Sequence, residues 1–319
     1  SEIMLQQTRV SAALPYYERF LAALPDIPAL AACEEEKLHK LWEGLGYYSR
    51  VRNLQKAARI VCEEYGGELP ADYDALRALP GIGDYTAGAI ASISFGLAVP
   101  AVDGNVLRVV ARLMAYDGDI SKDSVKKGVA EALVPSVVLD PAAFNQAVME
   151  LGATVCLPNG APKCGGCPVR RLCLAHEMGA ELSFPVKKAK KVRKIQQKTI
   201  FLLEFENRTA VCRRPESGLL AGLWGFPESD DYLEQDEAEL YLEHLGFETE
   251  TVLPLKKSKH IFSHMEWHMA GYRAVLRKLP DFGARRILLP EGTVFLTKEE
   301  IEARCALPSA YKAYTKELR

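Results

Sequence analysis

Hydrophobic residues recur with one period in the first part of this chain and another in the second, and the change falls within 183–198. Val106, Val109, Val110 and Leu113 follow helical spacing, so the segment after Asp103 is expected to be a helix with one buried face. Leu38, Leu41 and Trp42 repeat that pattern ahead of Gly44, while Pro15, Pro25, Pro28, Pro70 and Pro80 punctuate the helices. Farther on, Thr199–Phe205 and Thr209–Arg213 read as strands, Asp236–Leu245 as a helix and Gly271–Leu276 as extended chain. The expected architecture is a mostly helical domain over 1–182, a linker over 183–198 and an α+β domain over 199–319.

Composition narrows the class. With 319 residues, 48% of them hydrophobic, there is material for two ordinary cores. No apolar run is long enough to span a membrane and no signal peptide is present, so no membrane role and a cytoplasmic setting are expected. The net charge of −2 gives no general affinity for nucleic acid, so a local patch would have to supply it. One such patch is Lys187, Lys188, Lys190, Lys191, Arg193, Lys194 and Lys198, either a phosphate contact or a solvated linker.

The most specific local signal is Leu79-Pro80-Gly81-Ile82-Gly83-Asp84-Tyr85, followed by Asp103-Gly104-Asn105. Gly81 and Gly83 can take positive φ, so their N–H groups can point outward together at a helix start and suit a phosphate. Asp103 then stands alone at the entrance of another helix. A phosphate grip followed by a positioned carboxylate suggests chemistry on nucleic acid; a plain helix–turn–helix with a capping aspartate is the alternative.

Of eight cysteines, Cys156, Cys164, Cys167 and Cys173 fall in one window, separated by seven, two and five residues. Four thiols this close imply a metal centre, and spacing alone admits zinc or an iron–sulfur cluster. Cys33, Cys62, Cys212 and Cys305 are scattered and read as small buried hydrophobes.

Leu79–Ile90 resembles the helix-hairpin-helix of the endonuclease III superfamily of DNA glycosylases, and Asp103 matches that superfamily's catalytic aspartate. The cysteine window resembles its [4Fe–4S] loop, with one more residue in the first gap, which implies a [4Fe–4S] cofactor on these four residues. Glu2-Ile3-Met4-Leu5-Gln6-Gln7-Thr8 and Gly44-Leu45-Gly46-Tyr47-Tyr48, with Arg50, Arg52 and Asn53, resemble the catalytic helix and second loop of MutY-type adenine DNA glycosylases. Members carry a further segment before that helix, which implies that this chain is truncated at its N-terminus. Its activity is then expected to be impaired, since an α-amino charge beside Glu2 favours the carboxylate, opposite to what a general acid needs.

The resemblance implies roles. Glu2 matches the acid that protonates adenine N7, and Asp103 the carboxylate that stabilises or bonds the sugar after the base leaves, a division of labour known from retaining glycosidases. Tyr85 and Asn105 are expected to position sugar-side groups. Bifunctional members carry a lysine where Tyr85 stands; a phenol cannot form a Schiff base, so a monofunctional enzyme that leaves the strand intact is expected. Leu5, Gln6, Gln7 and Thr8 match the segment that reads and fills the duplex, and Leu45 and Tyr47 match its second wedge. Gln146 matches the position that hydrogen-bonds the adenine edge.

In the second domain, Leu219–Pro227 resembles the start of a Nudix-type domain. The positions of its metal-binding acids fall on Glu239-Leu240 and Glu243-His244, where most of the acids are missing, which argues against a pyrophosphohydrolase. Phe262-Ser263-His264 matches the loop that contacts 8-oxoguanine opposite adenine. The implied partner is double-stranded DNA with an 8-oxoguanine:adenine or guanine:adenine mispair, bound by a monomer in the bacterial nucleoid. Two alternatives are an endonuclease III-like glycosylase/lyase and a non-catalytic iron–sulfur DNA-binding module.

Overall fold

A computed structural model describes residues 1–186, 192–279, 289–290 and 292–319. The helices of the first part run α1 (Glu2–Leu5), α2 (Val10–Ala23), α3 (Ile27–Ala32), α4 (Glu35–Leu41), α5 (Ser49–Glu64), α6 (Tyr73–Ala78), α7 (Asp84–Phe95), α8 (Gly104–Leu113), α9 (Asp123–Val137), α10 (Pro141–Thr154) and α11 (Leu174–Glu177). Two compact units result, and neither is contiguous in sequence. One holds Ser1–Arg9, Leu24–Ala32 and Arg52–Lys190; the other holds Val10–Ala23, Cys33–Val51 and Lys191–Arg319.

In the first unit, α7 is built to be approached closely. Thr86, Ala87, Gly88, Ala89, Ala91 and Ser92 are all buried. Small side chains let neighbouring backbones come near, and the helix stops at Gly96, whose φ of 66° closes the end with N–H bonds to Ala91 and Ser92 carbonyls. Ala57, Val61, Leu76, Leu79, Ala87 and Ala91 form a core that fixes the hairpin between α6 and α7. The buried face of α8 differs from the expected one. It comprises Val106, Leu107, Arg108, Val109, Ala111 and Arg112, so two arginines lie on the inside.

The second unit is a mixed sheet between two layers. Its strands are β1 (Lys194–Phe205), β2 (Arg208–Arg213), β3 (Trp224–Gly225), β4 (Glu228–Ser229), β5 (Thr249–Pro254), β6 (Ser258–Ile261), β7 (Met265–Leu276) and β8 (Val294–Leu296). The order is β3-β2-β1-β7-β5, with β4 on β1, β6 on β7 and β8 on β2. β1 and β7 pair in parallel from Lys194↔Met265 to Glu204↔Val275. Alternation along β1 sends Phe201 and Leu203 to α12 (Gln235–His244), where Ala238 and Leu242 pack. Ile200 and Leu202 point the other way, to Trp267, Tyr311 and Tyr314 and to Ile301 on α13 (Lys298–Arg304). Gly271 is needed here: a Cβ on it would lie 2.2 Å from the Tyr314 ring. Helix α4 joins this unit because Arg213 faces Glu35 and Glu36 at 3.8 and 3.9 Å and Glu43 accepts the Leu307 N–H at 2.9 Å, and α2 packs beside it with Phe20 edge-on to Trp42 at 5.9 Å.

Several expectations shift. Strand β1 starts at Lys194, inside the expected linker. Lys198 is not a phosphate contact: it is 3% exposed, with its ammonium 2.7 Å from Glu228 and 2.6 Å from Asp230. Arg193 pairs with Glu266 at 3.7 Å, and Lys187, Lys188, Lys190 and Lys191 lie outside the described residues. Cys33, Cys212 and Cys305 are buried, but Cys62, on α5, is only half-buried. No helix among the described residues is long and apolar enough to cross a membrane.

Candidate active site

The hairpin turn sets the geometry. Gly81 has φ of 79°, in the left-handed region that favours glycine, and a Cβ there would meet the Asn53 side chain at 2.8 Å. Gly83 departs from expectation: its φ of −95° is ordinary extended backbone, and it serves as the N-cap of α7. Both glycines are exposed. The turn delivers Tyr85 to the first turn of α7.

Tyr85 is where two distant segments meet. Its hydroxyl donates to Glu2 Oε2 at 2.8 Å, across eighty-three positions, and lies 3.3 Å from Met149 Sδ. Burial pushes the phenol far above its ordinary pKa, followed by the charge of Glu2, the hydrogen bond to it and the charge of Asp103. The phenol therefore stays a donor throughout the physiological range. Glu2 meets this hydroxyl directly, and Asp103 lies within electrostatic reach of it.

Asp103 is the N-cap of α8. Oδ1 accepts the N–H groups of Asn105 and Val106 at 2.8 and 2.7 Å, and Oδ2 accepts from Asn105 Nδ2 at 2.8 Å. Asn105 Oδ1 in turn accepts from Arg108, whose guanidinium also reaches the Gly152 carbonyl at 2.7 Å and the Cys156 carbonyl at 2.8 Å. One turn on, Arg112 donates to the carbonyls of Leu157, Glu181 and Phe184 and lies 3.2 Å from Cys156 Sγ. One helix thus carries the aspartate at its start and two buried arginines that tie it to the cysteine loop. Arg108 and Arg112 were missed in sequence, because hydrophobic period alone gives charged residues to the outside.

The four cysteines line one cavity together with Arg112, His176 and Glu181. Cys156 is anchored by its N–H to the Leu151 carbonyl at 2.7 Å, and the extra residue in the first gap is absorbed in a loop where Gly160 takes φ of 70°. Burial raises the Cys164 thiol, with Glu181 adding to it. Four thiols around one cavity beside a guanidinium suit a cluster held by thiolates, whose net negative charge the arginine would meet. His176 and Glu181 bond at 2.6 Å and share with Cys164 a second set of ligand atoms within 4.8 Å of one another.

The expected DNA-reading residues fall in both units. Leu5 and Gln6 are half-buried, with Gln6 donating to Thr86 Oγ1 at 3.3 Å; Gln7 is exposed with a left-handed φ of 57°, and Thr8 is half-buried. In the second unit, Tyr47 is 46% exposed with φ of 49°, whereas Leu45 is 9% exposed and turned inward. Arg50 holds that loop by donating to the carbonyls of Leu45 and Gly46 at 3.3 and 3.1 Å. Gln146 is exposed, its amide bonded to the Ala142 carbonyl of its own helix at 3.2 Å; its buried neighbour Asn145 went unnoticed in sequence. Phe262, Ser263 and His264 form the turn between β6 and β7, with Phe262 packed edge-on to Trp267 at 5.0 Å and Ser263 and His264 exposed.

Comparison with known proteins gives the family. Residues 1–135 match the model of the HhH-GPD superfamily base excision DNA repair proteins, and residues 199–317 match the NUDIX domain. Fold and site together define a DNA N-glycosylase of base excision repair, a hydrolase that carries a Nudix-like second domain. The chain is similar to the adenine DNA glycosylase of Mus musculus (35% identity, 98% of this chain and 69% of the relative) and to that of Homo sapiens (34%, 98% and 66%). It is also similar to the adenine DNA glycosylase of Buchnera aphidicola subsp. Schizaphis graminum (31%, 84% and 77%). The chain belongs to the adenine DNA glycosylase family, and it spans about two thirds of the length of its mammalian relatives.

Proposed function

We propose that this chain, acting as a monomer, removes adenine opposite 8-oxoguanine or guanine in duplex DNA by hydrolysing the N-glycosidic bond, and leaves the strand intact. The grouping of Glu2, Tyr85 and Asp103 carries this reading. Adenine leaves poorly as an anion, and protonation at N7 makes it a good leaving group, the step assigned to Glu2. Once that proton is given up, the carboxylate left behind is met by the Tyr85 hydroxyl, already 2.8 Å away. Asp103, held in one orientation by three hydrogen bonds, is the anion that faces the positive charge growing on the sugar before water enters. Asn105 orients Asp103 rather than the sugar. Tyr85 offers no amine, so no covalent sugar adduct and no strand break follow.

Cys156, Cys164, Cys167 and Cys173 would hold a [4Fe–4S] cluster, which would cross-link the 156–173 loop, while Arg108 and Arg112 tie that loop to α8; no step of base removal runs through it. Gly81 and Gly83 would contact a phosphate, and Leu5, Gln6, Gln7, Thr8 and Tyr47 the opened duplex. Leu45 must turn outward if it is to act beside Tyr47. Gln146 would contact the adenine edge, and Ser263 with its neighbours the base opposite. Incubating the protein with an 8-oxoguanine:adenine duplex is expected to release free adenine and leave an alkali-labile site. No nick should form without alkali. A protein–DNA adduct trapped by borohydride would contradict the reading.

A further inference from the structure

We propose that one face of α10, carrying Asn145, Met149 and Gly152, is the surface that positions the reaction centre, and that Asn145 is a positioning residue for Asp103. This rests on the reading of Asp103 given above. Residues four and three apart on a helix share a face, and each of these three meets a different part of the centre. Asn145 is 2% exposed and uses both ends of its amide: Nδ2 donates to the Val99 carbonyl and Oδ1 accepts the Ala101 N–H, each at 2.9 Å. The side chain thus mimics a neighbouring strand for the segment that leads, two residues on, to Asp103. The same segment lies against α7 so tightly that a Cβ on Gly88 would be 2.5 Å from the Pro100 carbonyl oxygen. The entry to Asp103 is therefore gripped between α10 and α7, and α7 also carries Tyr85.

The rest of the α10 face completes the register. Met149 Sδ lies 3.3 Å from the Tyr85 hydroxyl. Gly152 lets Asn105 approach, since a Cβ there would be 2.6 Å from Asn105 Cβ, and its carbonyl accepts from Arg108 at 2.7 Å. One helix thus sets Asp103, Asn105 and Tyr85 against a common reference. Displacement of a reacting group by about an ångström costs on the order of 100-fold in rate.

The test is single-turnover adenine release from an 8-oxoguanine:adenine duplex by the full chain carrying Asn145→Ala, Asn145→Ser or Gly88→Ala, with Asp103→Asn alongside. Positioning acts on the rate constant of the folded fraction, expected to fall roughly 10- to 100-fold with the amplitude and the duplex affinity kept. A merely structural role lowers the amplitude or the melting temperature and keeps the parent rate constant. Serine retains a polar group but is too short to hold both backbone partners, so it reports even if the alanine variant does not fold. If Asp103→Asn is inactive while Asn145→Ser and Asn145→Ala keep the parent rate constant, the inference is overturned and the catalytic reading stands. If Asp103→Asn itself turns over at the parent rate, the catalytic reading fails.

Discussion

In the proposed reaction, Tyr85 stands where a lyase would need an amine. Burial, then the charge of Glu2 and that of Asp103, hold its phenol in the protonated form, so its O–H stays available to donate. Replacing it with phenylalanine removes one hydrogen bond to a charged group, worth about 1.5–3 kcal/mol. Tyr85→Phe is therefore expected to slow adenine release by roughly 10- to 100-fold without weakening duplex binding, as measured by single-turnover kinetics beside equilibrium titration. Arg108 belongs to the same scale. Arg108→Gln withdraws partners from Asn105, Gly152 and Cys156 at once. Both adenine release and the iron content per chain are expected to drop, and a variant with full iron and full rate would show that the link between α8 and the cysteine loop is idle.

At the scale of elements, the hairpin and α8 were legible in sequence to different degrees. The turn could be read because Gly-x-Gly, a following aspartate and a run of small residues each reflect a local backbone demand. The structure keeps that demand at Gly81 and drops it at Gly83. Gly81→Ala must both strain φ and push aside Asn53, so it is expected to lose roughly 1–3 kcal/mol of stability in denaturant melts. Gly83→Ala meets nothing within 4 Å and is expected to cost under about 1 kcal/mol, so a fall in duplex affinity there reports contact with DNA. Helix α8 is legible as a helix, but four of its six buried residues, Leu107, Arg108, Ala111 and Arg112, are not. Its buried arginines are satisfied by carbonyls more than forty residues away, and nothing local in the sequence marks such acceptors. The same holds for Asn145, whose partners lie on a segment with no hydrophobic period.

For the molecule as a whole, two class-specific halves could be assigned from motif order, but not the way the chain is shared between them. α2 and α4 precede the hairpin in sequence and yet belong to the unit of the sheet: Glu35, Glu36, Lys40 and Glu43 answer Arg213 and the 305–307 segment, and α2 follows through Phe20 on Trp42. Nor did charge counting reveal the ionic centre beneath that sheet. There Glu228 accepts from Lys198, Arg214 and Tyr311 at 2.7, 2.9 and 2.8 Å. Burial alone would raise the Glu228 pKa, but Arg214 and Lys198 outweigh it and the net shift is downward. A carboxyl depressed in the folded state stabilises above its ordinary range and loses that contribution as pH falls through the depressed value. The second unit is therefore expected to weaken on acidification below the usual glutamate range. Glu228→Ala withdraws the carboxylate that Arg214 and Lys198 share and leaves Lys198 with Asp230, so it should cost about 1.5–3 kcal/mol at neutral pH and flatten the acid limb of a thermal melt.

The central claim is that Glu2 and Asp103 act on one nucleotide, and single-turnover release of adenine by Glu2→Gln and Asp103→Asn, each pre-bound to an 8-oxoguanine:adenine duplex, tests it most directly. Each variant is expected to bind the duplex as the parent does and to release adenine at least about 100-fold more slowly. Release at the parent rate from either variant would contradict the account.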